Sequence, residues 1–334
     1  MAVFGKPEPG SKYFELHQKL QLNTSRFAAY KANKVTGLLK NLPASKFDEN
    51  AVKVLKNFNR YQSAEYNAVV ARSRTAKQFT DFEREAHLYP MLEWLPTSSV
   101  TPRDEHVRLV GTILPINDPF WNTNQPGNLW GCKCDWKTTD APASHVLPNS
   151  VTPSPGLDGN PADTGEIFTD KHPYIKLAKN KDEVESFVND EHIKTLTPIV
   201  NAFRESIPKH DGITFKSENF ASGEMTLIRR SVKTIIHKNN TNYQIYLHLL
   251  NIEKNAKEWK YLGWSEVDAI KHKEADFFFY YEAKIGDEIK YVNVLVHNQK
   301  KTEIPYAIFH TIDEENMHKG VIPKDLYKHI KKRF

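Results

Sequence analysis

Residues 275–285 read ADFFFYYEAKI and residues 288–298 read EIKYVNVLVHN, joined by Gly286-Asp287. Side chains alternate in character with the period of two of a strand, and Gly-Asp is turn chemistry, so the spacing predicts a β-hairpin. If Ile285 faces Glu288, then Phe277, Phe279, Tyr281 and Ala283 face Val296, Val294, Val292 and Lys290. That face is apolar and should lie against helices. The opposite face sets Asp276, Phe278, Tyr280 and Glu282 beside His297, Leu295, Asn293 and Tyr291, a half-polar surface suited to an antiparallel sheet open to water. A further strand is expected over 304–312 and a short basic tail over 325–334. Upstream, helices are expected over roughly 181–207, 222–238 and 251–271. Residues 165–334 therefore read as a separate α+β domain, with helices packed on a small antiparallel sheet.

Ahead of that domain the texture changes. Residues 141–164 hold Pro148, Pro153, Pro155, Gly156, Gly159 and Pro161 without apolar periodicity, and read as an inter-domain linker. Residues 1–140 then form the first domain, and its first hundred residues read as helical. An amphipathic pattern from Ser11 to Leu42 runs through Phe14, Leu16, Leu20, Phe27 and Tyr30. A second opens at Asp48 and runs through Val52, Leu55, Phe58, Tyr61, Tyr66 and Val69. Lys53, Lys56, Arg60, Arg72, Arg74 and Lys77 occupy its other positions, as a solvated basic face or as a surface for nucleic acid or an acidic partner. Between Pro90 and Asp140, prolines disfavour regular helix. A loop-rich module pinned by Trp94, Trp121, Trp130 and Trp136 is the natural alternative.

Composition bounds the rest. At 334 residues, 39% hydrophobic and 26% charged, the chain is long enough for two packed domains and is not disordered in character. No run of about 18 apolar residues exists, so no helical membrane span is expected. Residues 1–7 lack the apolar core of an ordinary secretory signal. A net charge of +5 permits a nucleic-acid partner without requiring one. Both cysteines of the chain, Cys132 and Cys134, sit in one tripeptide. A disulfide between them would close a small strained ring, so a reducing compartment or a local role for the thiols fits better.

Thiolate and imidazole suit zinc, and His106 with Cys132 and Cys134 would supply three ligands of a structural zinc site. His87 or Asp118 could be a fourth. The alternative is that both cysteines pack as small hydrophobes against Trp121 and Trp130. In order along the chain stand Arg103, His106, Gly111, then Asp118-Pro119-Phe120-Trp121, Pro126, and Trp130-Gly131-Cys132-Lys133-Cys134. This order resembles the carboxy-terminal signature of the phage Mu F-like minor head morphogenesis family. The resemblance covers about residues 15–140, with its specific part at 87–136. Lys133 departs from it, where arginine is commoner, as does Gly131, which is often polar. It implies a minor capsid protein of a phage or prophage, made in the bacterial cytoplasm and located in the virion head. Portal and capsid proteins would be its partners, and it would serve assembly and the packaging or delivery of phage DNA. The chain is short at its amino end for such proteins, which implies a reduced form or a fragment.

The half-aromatic open face of the hairpin also fits a sheet that binds and cleaves RNA, with Tyr280 as a stacking group. Metal-free cleavage needs a base, an acid and a cation near the phosphorus. His237, His297 and His310 are candidates for proton transfer. Arg230 and Lys301, with Arg229, Lys238 and Lys300, are candidates for the cation. With 14 histidines in the chain, the competing reading of each is a surface or satisfied residue. Helices followed by a curved antiparallel sheet resemble the barnase/EndoU/RelE-like nuclease superfamily, whose domains occur fused to Mu F-like head proteins. That layout implies an endoribonuclease of toxin type with RNA as substrate. Two alternatives stand beside it: a structural head protein with a non-catalytic binding domain, and a bacterial toxin using the head module as an adaptor.

Overall fold

The computed structural model describes residues 4–146, 148–267, 275–286, 288–297, 303–311 and 317–319, without the side chains of Asp276 and His297. The chain is an α+β protein. It divides into two compact units, Met1–Val188 and Asn189–Phe334.

The first unit opens with three helices, α1 (Phe14–Lys40), α2 (Phe47–Arg60) and α3 (Gln62–Glu85). The pattern beginning at Asp48 thus belongs to two helices. Its expected apolar face is not the buried one, since Val52, Leu55 and Tyr66 are exposed. The buried face of α3 is instead Glu65, Ala68, Arg72, Ala76 and Phe79, at spacings of three and four. Arg72, expected on a solvated face, lies at its centre.

Between Pro90 and Asp140 the loop-rich module contains a sheet. Its elements are β1 (Met91–Leu95), α4 (Asp104–Val107), β2 (Ile113–Pro115), α5 (Phe120–Thr123) and β3 (Asp135–Thr139). The strands pair antiparallel in the order β2-β1-β3. Leu92 and Trp94 point inward from β1, where they join Trp121, Trp136, Leu109, Leu114 and Phe79. Trp121 meets Trp136 edge-on at 5.9 Å, and its indole N–H donates to the Pro115 carbonyl at 2.9 Å. These rings bury a large apolar area, and Trp121 does so with its polar atom on a backbone partner.

The second half of the stretch expected as a linker packs into this unit. Val151 and Leu157 are buried in it, ahead of α6 (Pro161–Thr164) and α7 (Pro173–Lys176). Side chains supply several of its backbone's partners. The Val151 N–H donates to Asn124 Oδ1 at 2.7 Å, and Gln125 Nε2 donates to the Gly159 carbonyl at 2.9 Å. Arg72 Nη1 donates to the Leu157 carbonyl at 2.7 Å. Its Nη2 reaches the carbonyls of Asp158 and Gly159, each at 3.0 Å, and of Glu166 at 3.2 Å. Gly127 makes room for this arrangement, because it holds φ +93° and a Cβ there would sit 3.0 Å from Arg72 Cγ. Asn23 does the same further on, donating to the Phe168 carbonyl and accepting from the Ile167 and Phe168 N–H groups.

Helix α8 (Lys181–Ser206) contains the division between the units. Beyond it come β4 (Ile213–Lys216), β5 (Glu224–Leu227), α9 (Arg229–Lys238), α10 (Tyr243–Leu250) and α11 (Ile252–Ala256). Then follow β6 (Lys260–Glu266), β7 (Ala275–Ile285), β8 (Glu288–His297), β9 (Glu303–Phe309) and β10 (His318–Lys319). These strands form one seven-stranded sheet in the order β10-β6-β7-β8-β9-β5-β4. The pairing is antiparallel except between β5 and β9. The β7–β8 register is the expected one, from Ile285↔Glu288 to Phe277↔Val296. A bulge after Ala275 then sets that residue, not Asp276, opposite His297. Phe279, Tyr281, Val292 and Val294 are buried, while Phe278, Tyr280 and Tyr291 across the sheet remain half-exposed.

Two expected helices were half strand. Residues 224–227 form β5, whose Met225, Thr226 and Leu227 are buried in succession between two neighbouring strands. A short run buried on both sides has no periodicity to separate it from a helix. Residues 260–266 form β6, which pairs with β7.

Arg72→Met should lower the unfolding free energy by about 3 kcal/mol or more, because buried carbonyls lose a charge-assisted donor. Denaturant titration of full-length wild type and variant measures it.

Candidate metal centre

His106, Cys132 and Cys134 come from two separate segments. A helical turn after Pro102 carries His106 on α4, and its N–H donates to the Arg103 carbonyl at 2.9 Å. The turn that ends at Cys132, whose N–H donates to the Leu129 carbonyl, leads into β3 and places both sulfurs against that imidazole. Arg103 Nη2 donates to the Trp130 carbonyl at 2.6 Å and ties the two segments together. His106 Nδ1 lies 3.1 Å from Cys134 Sγ and 3.5 Å from Cys132 Sγ. All three candidate ligand atoms fall within 4.8 Å of one another.

The group can hold a metal ion. A tetrahedral centre with bonds of about 2.0 Å to nitrogen and 2.3 Å to sulfur would set N···S at roughly 3.6 Å, close to what is seen. The donors also have the right chemistry. Hydrogen bonding from Cys134, together with His106, pulls the Cys132 thiol down to about 4. The same Cys132 contact and burial hold Cys134 above its ordinary value. Their site therefore already stabilises one thiolate, the species that binds a metal. His106 is 3% exposed, and its ring is oriented by packing edge-on to Trp94 at 5.6 Å. Its Nε2 is buried and has no hydrogen-bond partner among the described residues. His87 and Asp118 are not part of the group. His87 is exposed and contacts the Arg84 carbonyl, and Asp118 accepts from the Phe120 N–H at 2.8 Å.

Of the residues considered for RNA cleavage, His237 and Lys238 at the end of α9 lie where that helix meets the end of β9 that leads to His310, Asn239 donating to the Ile308 carbonyl at 3.3 Å. Arg230 and His237 lie on α9 near its opposite ends. His237 and His310 are exposed, and His310 Nδ1 lies 2.6 Å from Lys290 Nζ, which also contacts Glu288. His297 ends β8 opposite Ala275, whereas Lys290 and Glu288 belong to the start of that strand. The strand rise separates His297 from Lys290 and Glu288 by roughly 23 to 30 Å. The His297 side chain, Lys300 and Lys301 lie outside the described residues. Tyr280 Oη is paired with Ser265 Oγ at 2.9 Å. Arg229 is committed to the Glu205 carboxylate and the Ile207 carbonyl, and Lys238 lies over the rings of Tyr306 and Phe309.

One titratable group escaped the sequence reading. Glu303, at the start of β9, is fully buried. It accepts from the Tyr281 hydroxyl and from the Ser222 N–H at 2.7 Å, while Tyr281 Oη accepts from the Ala221 N–H at 2.9 Å. Burial pushes the carboxyl up to about 7, against the opposing pull of those hydrogen bonds. The only signal in the sequence is an acid opening an otherwise apolar strand.

With this geometry in hand, comparison with known proteins gives one partial likeness. The chain is similar to the protein named capsid assembly protein F (a provisional name) in Escherichia phage Mu. They are 27% identical over 110 residues, which is 31% of this chain and 25% of that protein. The chain therefore spans about a quarter of the curated relative it matches. No family model matches the chain, and no solved structure matches it. The likeness agrees with the head-protein signature and lends nothing to the nuclease resemblance.

Two outcomes are expected. Purified chain exposed to a divalent transition metal should retain about one ion per molecule by atomic absorption after desalting, and Cys134→Ser should retain far less. Glu303 binds its proton more tightly folded than unfolded, so stability should fall as pH rises from about 4.5 to about 7 and then level off. Thermal melts across that range should show the slope in wild type and a flatter profile in Glu303→Gln.

Proposed function

We propose that the chain is a head-associated structural protein of a phage or prophage, with its first unit an assembly module clamped by zinc. The observation that carries this reading is the structural use of the signature residues, joined to the partial likeness to a phage capsid assembly protein. Arg103 binds the Trp130 carbonyl, and the Pro126 carbonyl accepts from Thr75 Oγ1 at 2.9 Å. Gly111 turns the chain at φ +78° and donates to the Trp94 carbonyl at 2.9 Å. Trp121 fills the core, and His106 with the two cysteines forms the candidate metal group. Each closes the fold, as expected of a scaffold whose task is assembly. Zinc is the ion we assign, because thiolate and imidazole donors match it and it needs no redox partner. His106, Cys132 and Cys134 would hold it, and it would cross-link α4 to the turn before β3.

Capsid and portal proteins are the partners this reading implies, and the virion head is the location. A ribonuclease function for the second unit is not included. Among the described residues Arg230 stands at the opposite end of α9 from His237, and Tyr280, His310 and Arg229 each contact other side chains. No described helix is long and apolar enough to cross a membrane.

The test is co-expression with the capsid and portal proteins of the same genome, followed by density-gradient sedimentation of the heads. The chain should sediment with heads in a few copies each, and Cys134→Ser should reduce that incorporation several-fold. A chain that stays at the top of the gradient, beside normally formed heads, would sink the proposal.

A further inference from the structure

The head-protein reading leaves unused a groove of about 350 Å³ in the second unit, beside the amino end of α9. One wall is that helix end, through Ile228, Arg230, Ser231 and Thr234. The other is the sheet, through Leu295, Ile304 and Pro305, with Ala275 and Tyr306 completing it. The two walls differ in chemistry. The sheet side is apolar, and Ala275, Leu295 and Ile304 are themselves buried there. The helix side presents hydrogen-bond donors.

Helix α9 has ten residues, and its N-cap Ile228 is extended and supplies no capping side chain. Its first turn holds no acidic residue, and Arg229 and Arg230 stand there instead. The partial positive charge of the first-turn N–H groups is thus left uncompensated by a side chain of the helix. Independently of that, Ser231 is 3% exposed and its hydroxyl is buried without a hydrogen-bond partner among the described residues, while lining the groove. A buried hydroxyl in that state is disfavoured unless a further group completes it. Thr234, three residues on, lines the groove from the same helix face.

We propose that this groove binds a small organic phosphate monoester. The phosphate would sit at the amino end of α9, accepting from Ser231 and Thr234 and neutralised in part by Arg230. Its three free oxygens match a donor set spread over hydroxyls, backbone N–H groups and a guanidinium. The organic portion would lie on Leu295, Ile304 and Pro305, where a free phosphate has nothing to cover. Size agrees, since about 300 Å³ is the lower end of ordinary small-ligand sites.

Isothermal titration of the full-length chain with phenyl phosphate tests this, beside inorganic phosphate, phenol and benzoate as partial ligands. Phenyl phosphate should bind saturably and about tenfold or more tighter than any of the three. Ser231→Ala should weaken it by about tenfold. The same variant, without ligand, should melt at or above the wild-type temperature, because it removes an unpartnered buried hydroxyl. If Ser231→Ala does not fold, Thr234→Val takes its place, with the same loss of affinity expected. Absence of saturable binding up to about 10 mM overturns the proposal. So does equal binding by wild type and the folded variant, or benzoate binding as tightly as phenyl phosphate.

Discussion

One guanidinium organises the first unit. Arg72 is fully buried, and its hydrogen bonds run to main-chain carbonyls of the 157–166 stretch. Burial alone pushes its pKa down to about 10, only partly offset by Asp158 and Glu166, and at neutral pH it remains charged. Taking such a cation out of water costs several kcal/mol. Four bonds from a charged donor, at about 1.5 to 3 kcal/mol each, are of the size needed to offset that. The balance closes only if the carbonyls stay where they are. The helix carrying Arg72 and the irregular chain around it therefore specify one another.

That mutual dependence explains why the segment around 141–164 read as a linker. Its prolines and glycines deny it regular structure, and no strand or helix ladder satisfies most of its backbone. Such a segment is ordinarily solvated and mobile. Here Asn124, Gln125 and Arg72 supply the partners instead, and Asn23 does the same for Ile167 and Phe168. None of these side chains announces the role. Arg72 sits in a helix among other basic residues, and a buried arginine looks like an exposed one until its acceptors, 85 residues away in the case of Leu157, are known.

Local pattern and long-range partnership divide what was legible throughout. The β7–β8 hairpin could be paired residue by residue, because a two-residue turn and a period of two fix register together. Strand β5 could not be told from a helix, since its identity comes from β4 and β9 on either side. The candidate metal group was readable because two cysteines in one tripeptide have few structural uses, and His106 lies only 26 residues ahead of the first. Glu303 was not, because its burial, and its partners in Tyr281 on another strand and the backbone N–H of Ser222, come from tertiary packing.

The same contrast bears on why a metal would suit the first unit. Its Pro-rich half has three short strands and helices of four residues, so little of its order comes from cooperative backbone ladders. Packing of Trp94, Trp121 and Trp136 supplies the apolar stabilisation, yet rings alone fix position less sharply than directional bonds do. Arg72 gives directional bonds on the α3 side. Further along the chain, the turn before β3 is tied to α4 by the Arg103–Trp130 bond and by the contacts of His106 with two sulfurs. Hydrogen bonds between imidazole and sulfur are weak links, whereas a bound ion would turn the same three atoms into a strong cross-link. A module with so little regular structure gains most from bonds of that kind, and it has placed the ligands where the backbone contributes least.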